Sequence, residues 1–334
     1  MPPWLRIAEE SNRLFFDELI RTVEASGRYR PLVLDLQKLP LSSYDNARTF
    51  IEKSNVVFIV QHHSKFYSHG SRYARNVDFL EPYVSFVNST QSQKIGHDKI
   101  ATKKILREHG IPVLDDRLVT SVQDLEDHIA ENTMYVIKPH NLGAGAGVNL
   151  IKKQHGQFFA YHDKRWRQIS FAERSTSALR LKYRFDAAYP LHFFKKIRLD
   201  FTYAPMLVEP YFNDHEAGFS SLRCTVIGNQ VVEAVKRTNV SNITSNISHG
   251  GKATVAMLSE QQKQAAIDVL RAIGADYAGV DFLIRGNDWV IGEVNIGPFT
   301  LFSKYTRVNV GKIFAEYLVE KCDTLRANYT SPRS

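Results

Sequence analysis

The sequence predicts an α/β protein, and three observations carry that expectation. Over about residues 1–90, short apolar strands alternate with helical patterns, as in a sheet with helical crossovers. A glycine-rich loop, Asn141-Leu-Gly143-Ala144-Gly145-Ala-Gly147-Val148, joins two strand-like runs. Near the C-terminal end, Ala278-Gly-Val-Asp281-Phe-Leu-Ile and Trp289-Val-Ile-Gly-Glu293-Val-Asn295 flank the turn residues Gly286-Asn287 as a β-hairpin. At 334 residues, two or three domains are expected.

Residues 7–26 read as an amphipathic helix ended by Gly27. Pro31-Leu-Val-Leu-Asp-Leu36, Val56–Val60 and Val84–Asn88 read as three strands, the second apolar enough for a buried parallel position. The loop Gln61–His69 follows the carboxyl end of that strand, where ligands collect in such sheets. A polar solvated loop would look the same. Asp98 to His109 is a helix closed by Gly110, with Ile111-Pro112 beyond it. Ser121 and Asp124 open another helix in the manner of a capping box. Met134-Tyr-Val-Ile-Lys138-Pro is a strand that runs into the glycine loop, and Pro205–Phe212 is a later strand. Leu222–Val235 is a hairpin about Gly228-Asn229. Ser259 and Gln262 cap a helix that runs to Ile273 and stops at Gly274. A last helix spans about Gly311–Cys322, with fraying expected from Arg326.

Composition narrows the class. With 43% apolar and 23% charged residues the chain is of ordinary globular make-up. No apolar run is long enough to predict a transmembrane helix, and the N-terminus lacks the pattern of a secretory signal. The cysteines are Cys224 and Cys322 alone, which points to a reducing cytoplasm and excludes a cysteine zinc cluster. Residues 151–206 hold 12 lysines and arginines against 4 acidic residues, an excess equal to the +8 of the whole chain. The same segment holds 12 aromatic residues, among them Phe158, Phe159, Trp166, Phe193 and Phe194. Such a stretch suits nucleic acid, or a cover over an anionic ligand.

Glu293 and Asn295 are two apart and share a strand face. A three-residue hairpin loop would set Asp281 opposite Glu293, and a two-residue loop would make them diagonal neighbours. Two carboxylates and an amide oxygen are hard ligands, suited to Mg²⁺ held partly by substrate phosphates; a solvated acidic hairpin is the plain alternative. Gly143, Gly145 and Gly147 let backbone N–H groups approach phosphate oxygens, although a simple turn would also use them. The loop is neither a Walker loop nor a dinucleotide fingerprint, since both open a helix. Lys138, five residues before Gly143, can set a point charge on phosphates.

In series, these motifs resemble the ATP-grasp superfamily, and within it the RimK-type and glutathione synthetase-like carboxylate–amine ligases. The resemblance covers about residues 84–322. It rests on His-Asp-Lys99, Gly-Ile-Pro112, Val-Ile-Lys138-Pro, the glycine loop, Leu-Val-Glu209-Pro210-Tyr211, Leu-Arg223-Cys, Val-Lys-Arg237, Ser245-Asn246-Ile-Ser-His-Gly-Gly251, Ala-Gly-Val-Asp281 and Glu293-Val-Asn295. It implies a pre-ATP-grasp α/β domain at 1–91, a central and catalytic domain at 92–135 and 205–325, and a lid at 136–204, the last two being α+β subdomains that clamp ATP. It also implies that Lys99, Lys138 and the loop Gly143, Ala144, Gly145 and Gly147 bind the phosphates. Glu209 would join lid to catalytic domain, and the backbone of Pro210 and Tyr211 would bond the adenine edge. Ser245 and Asn246 would lie near the nucleotide. Asp281, Glu293 and Asn295 would hold Mg²⁺, or Mn²⁺ in its place. Arg223 and Arg237 would face the transferring phosphoryl group.

The implied reaction joins a carboxylate to an amine through an acyl phosphate, releasing ADP and phosphate. The chain departs from the branch in having Ser221 where an Asp is usual, Thr244 where an Arg is usual, and Ile-Gly-Pro298-Phe-Thr after Asn295. The first two changes touch nucleotide contacts, and the second and third point to a substrate other than glutamate. The basic segment suits small-molecule or peptide substrates, an acidic peptide or a carrier protein; solvated packing explains its charge equally well. Acyl transfer to a carrier thiol and nucleic-acid binding are the rival readings. The latter predicts steep salt dependence and no nucleotide turnover. A homo-oligomer is left open by the sequence.

Overall fold

A computed structural model describes residues 3–60 without 34 and 37, 72–139, 148–162, 165–169, 206–213, 219–240, 243, 245–247, 250–297 and 302–330. In chain order the first part holds α1 (Pro3–Ala25), α2 (Tyr44–Ser54), β1 (Phe58–Val60), α3 (Arg72–Leu80), β2 (Ser85–Val87), α4 (Thr90–His97) and α5 (Lys99–Glu108). β3 (Arg117–Val119), α6 (Val122–His128), β4 (Met134–Pro139), β5 (Asn149–Gln154), β6 (Gln157–His162), β7 (Arg165–Gln168) and β8 (Met206–Pro210) follow. The last part is β9 (Phe219–Ile227), β10 (Gln230–Asn239), β11 (Lys252–Val255), α7 (Glu260–Ile273), β12 (Tyr277–Arg285), β13 (Asp288–Asn295), α8 (Ser303–Thr306) and α9 (Val310–Thr330). No helix of the described residues is long and apolar enough to cross a membrane.

β1 and β2 form a parallel pair, Phe58 beside Ser85 and Val60 beside Val87. α2 and α3 cover it through Ala47, Ile51, Val77 and Leu80. The strand expected at Pro31–Leu36 is absent from the described residues. Leu32 and Val33 are 57% and 79% exposed, and among the described residues β1 has β2 alone as a strand neighbour; the Asp35 and Leu36 carbonyls accept instead from Lys38 N and Leu39 N and from Asn76 Nδ2. α4 was not expected; Ser89 caps it by accepting from Ser92 N. Just before it, buried Asn88 ties this unit to the C-terminal part. Its Nδ2 donates to Tyr277 O at 2.6 Å, and its Oδ1 accepts from Asp276 N at 2.7 Å.

The larger framework is two antiparallel sheets. One has five strands in the order β11-β10-β9-β12-β13, the other six in the order β3-β8-β4-β5-β6-β7. One face of the five-stranded sheet sends Cys224, Val226, Ala234, Val280 and Phe282 against Val269 and Leu270 of α7. The capping box of α7 forms as expected, with Gly274 closing the helix at φ 65°. The other face packs Ile227 and Tyr277 at one end against Phe15 and Leu19 of α1 and Phe314 of α9. Its remaining area carries Arg223, Arg237, Asp281, Glu293 and Asn295. α9 continues to Thr330, past the fraying expected from Arg326, and α1 packs along it. In the six-stranded sheet Ile137, Ile151, Phe158, Ala160 and Val208 form a second core with α6. This sheet takes in β3 and β8, which the expected lid boundaries at 136 and 204 leave outside.

The β12–β13 hairpin has a two-residue loop, with Arg285 opposite Asp288. That register alone would not set Asp281 across from Glu293. A bulge does so: Phe282 pairs with Ile291 and Asp281 with Glu293, leaving Gly292 as the extra residue. The bulge also lets Ile291 enter the α7 core while Glu293, two residues on, faces the opposite side. A Cβ at Gly292 would stand 2.8 Å from Leu283 Cγ. Gly292→Val should therefore cost about 1–3 kcal/mol, read as a lowered urea midpoint with an unchanged slope.

Candidate active site

α5 runs between the two sheets and supplies lysines to both. Asp98 caps it, accepting from Ile100 N at 2.9 Å and Ala101 N at 3.2 Å. Lys99 and Lys103 lie one turn apart on one helix face. Lys99 Nζ stands 3.8 Å from Glu293 Oε1 on the five-stranded sheet. Lys103 Nζ donates to Glu209 Oε1 on β8 of the six-stranded sheet. Lys138, on the neighbouring strand β4, reaches the other oxygen of the same carboxylate at 2.8 Å. Glu209 is thus a buried acid gripped by two lysines. Burial would raise its pKa, but Lys138 and then Lys103 outweigh burial and hold it down at about 2. Burial pulls Lys103 down to about 8 despite that partner, and also lowers Lys99.

On the five-stranded sheet, register sets Asp281 beside Arg223, and Ser221 beside Arg237. Arg223 donates from Nε and Nη2 to the two oxygens of Asp281, and Arg237 Nη2 lies 3.0 Å from Asp281 Oδ2. Burial would raise the Asp281 carboxyl; Arg223 and Arg237 overcome this and lower it. Ser221 Oγ accepts from Arg237 Nε at 3.1 Å and Nη2 at 2.8 Å, and lies 2.7 Å from Ser245 Oγ. Asn246 Oδ1 accepts from Arg237 Nη1 at 3.4 Å. Gly251 makes this turn possible, because a Cβ there would meet Ser245 O at 2.4 Å.

Lys99, Lys138, Glu209, Arg223, Arg237, Ser245, Asn246, Asp281, Glu293 and Asn295 therefore lie about one cleft. The glycine-loop residues Gly143, Ala144, Gly145 and Gly147 lie outside the described residues. So do Gln61–His69, Thr244, Pro298 and most of the basic aromatic segment. The Tyr211 N–H donates to Met134 O at 2.9 Å, extending the β4–β8 ladder, so this donor is already committed and a bond from this backbone to an adenine edge falls to its carbonyls. Lys103 was not foreseen. Its signal was present in its i+4 spacing from Lys99 and i−3 spacing from buried Leu106, which put a lysine on the buried stripe of α5.

The donor types, two carboxylates and an amide oxygen, are those of a hard divalent cation, with both Asp281 oxygens held here by Arg223 and Arg237. Asp281 and Glu293 sit directly opposite one another, and Asn295 pairs with Gly279 on the same face. Asn295 Nδ2 is buried without a hydrogen-bond partner among the described residues. Two carboxylates and an amide are too few to encage a metal alone, and no described group of three His, Cys, Asp or Glu side chains forms one. That number suits Mg²⁺ shared with substrate phosphates.

The architecture is that of the ATP-grasp ligases. The structure superposes on the ATP-grasp ligase PsnB, solved with a phosphomimetic variant of its minimal precursor, Mg and ADP, with a TM-score of 0.53 and 14% identity over 92% of this chain and 94% of that one. Residues 195–318 match the model of the RimK-like ATP-grasp domain. A probable alpha-L-glutamate ligase 2 of Pseudoalteromonas atlantica is 35% identical over 119 residues, 35% of this chain and 39% of the relative. A probable alpha-L-glutamate ligase of Haemophilus influenzae is 28% identical over 237 residues, 70% of this chain and 66% of the relative. The first match thus spans about two fifths of that relative's length.

The grip on Glu209 makes stability pH-dependent in a defined direction. Its folded pKa is depressed, so the stabilisation is present above the ordinary value of 4.5 and fades as pH falls toward about 2. Glu209→Gln should lose about 3–5 kcal/mol at neutral pH by leaving lysines unpaired. Urea unfolding at a series of pH values should show the gap from wild type narrowing between pH 4.5 and 2.

Proposed function

We propose that the chain is an ATP-dependent carboxylate–amine ligase that forms an amide bond through an acyl phosphate, releasing ADP and phosphate. The observation that carries this is the meeting of Lys99 and Lys138 from two elements with the Arg223–Asp281–Arg237 cluster and Glu293 in one cleft. Phosphoryl transfer asks for positioning and positive charge more than for a covalent nucleophile. Lys99 and Lys138 hold the phosphates, with Gly143, Ala144, Gly145 and Gly147 folding over them. Ser245 and Asn246 flank the nucleotide, Glu209 joins lid to catalytic domain, and the carbonyl side of the Pro210-Tyr211 backbone borders the base. Asp281, Glu293 and Asn295 hold Mg²⁺, or Mn²⁺, which when bound neutralises charge on the phosphates; the ADP and Mg of the PsnB complex support this choice. Arg223 and Arg237 orient the substrate carboxylate and the γ-phosphoryl group. A carboxylate oxygen attacks the γ-phosphorus and ADP leaves. The amine nitrogen then attacks the acyl carbon, the C–O bond to phosphate breaks, and the amine gives up its proton.

In this reading the chain works in the cytoplasm. Residues 1–91 form the pre-ATP-grasp domain, 136–204 the lid, and 92–135 with 205–325 the catalytic domain. The relatives named as glutamate ligases and the precursor bound by PsnB favour an amino-acid or peptide substrate. Thr244 and Ile296–Thr300 argue against glutamate itself.

The test is ADP release over a panel of carboxylic acids, with hydroxylamine trapping and mass spectrometry of products formed with candidate amines. Glu293→Gln and Lys138→Ala should each lower turnover at least about 100-fold while the circular dichroism spectrum stays that of wild type. Pyrophosphate in place of phosphate, or near-normal turnover in either variant, rules the route out.

A further inference from the structure

Lys138 can serve a phosphate only if its charge is not already spent. It lies 2.8 Å from Glu209, and an isolated lysine–glutamate pair buried together is neutral. Glu209 is 2% exposed, so water does little to weaken that cancellation. Lys103 changes the balance. It comes from a different element, α5, and donates to the carboxylate oxygen that Lys138 leaves free. One acid between two lysines leaves the triad at +1. The surplus sits where the lysine is more open: the Lys138 side chain is 13% exposed and that of Lys103 5%. Lys103 is too enclosed to meet a ligand itself.

We propose that Lys103 is a positioning residue for nucleotide phosphates, acting through Glu209. It occupies half of the Glu209 carboxylate, fixes the orientation of that side chain, and so leaves Lys138 with an uncompensated charge directed into the cleft. This rests on the nucleotide-binding reading above. Packing alone would give Lys103 a different signature, because a packing role does not depend on how many charges the ligand carries.

The experiment measures the affinity of the intact protein for ATP, ADP and adenosine, each with Mg²⁺, by calorimetry. Lys103→Met keeps the length and burial of the side chain and removes its charge. It should weaken ATP about tenfold or more, ADP less, and adenosine hardly at all. The double variant Lys103→Met with Glu209→Gln leaves Lys138 without a neutralising partner and should regain most of the ATP affinity lost by the single variant. Equal losses for ATP and adenosine, unchanged ATP affinity in Lys103→Met, or no recovery in the double variant would each overturn the proposal while leaving the ligase reading standing. Failure of the wild-type protein to bind ATP at all would overturn both. If Lys103→Met does not fold, Lys103→Gln with the same three ligands gives the same readout.

Discussion

The cleft depends on holding more positive than negative charge between two sheets without leaving any charge unpaired. A lone buried ion costs a folded protein several kcal/mol. The chain meets this by sharing. Glu209 serves Lys103 and Lys138, Asp281 serves Arg223 and Arg237, and Glu293 faces Lys99. Five cations are thus satisfied by three carboxylates, and the surplus stands ready for a polyanion. Both shared acids are held below their ordinary range by these cations, so they remain ionised across the physiological range. Each shared carboxylate joins elements far apart in sequence, so the charge arrangement and the docking of α5 on both sheets are one constraint.

The backbone serves the same end at Gly292. A regular strand would give Ile291 and Glu293 the same face. The α7 core requires Ile291 on one side and the cleft requires Glu293 on the other. A single inserted residue resolves this, and only glycine fits beside Leu283. The same bulge brings the two hairpin acids opposite each other despite a loop length that would have offset them.

How far the sequence could be read follows from the range of the forces involved. Elements specified by local chemistry were legible: the Ser259–Gln262 capping box, the Asp98 and Ser121 caps, and the turns at Gly228 and Gly286 all form as their side chains dictate. Features set by distant partners were not. Pro31–Leu36 has strand composition but no neighbouring strand among the described residues. The commitment of the Tyr211 N–H depends on Met134 across a ladder. Helical spacing puts Lys103 on the buried stripe of α5, but its partner Glu209, 106 residues away, is supplied only by the fold. For the site, the residue types pointed to the chemistry, and the charge sharing that makes them workable had to come from the fold.

Ser221 shows why a departure from the branch pattern can be tolerated. An acid at that position would lie beneath Arg237, which already shares Asp281, and would cancel its charge. A hydroxyl accepts the same two N–H groups with no charge of its own, so Arg237 is held in place while its positive potential is kept. Ser245 then completes the hydrogen bonding of that hydroxyl, which links the loop at 245–246 to the arginine without an ion pair. Orientation and neutralisation are separable tasks. At Arg237 orientation falls mainly to a serine, and at Lys138 orientation and partial neutralisation both fall to a carboxylate that a second lysine holds in balance.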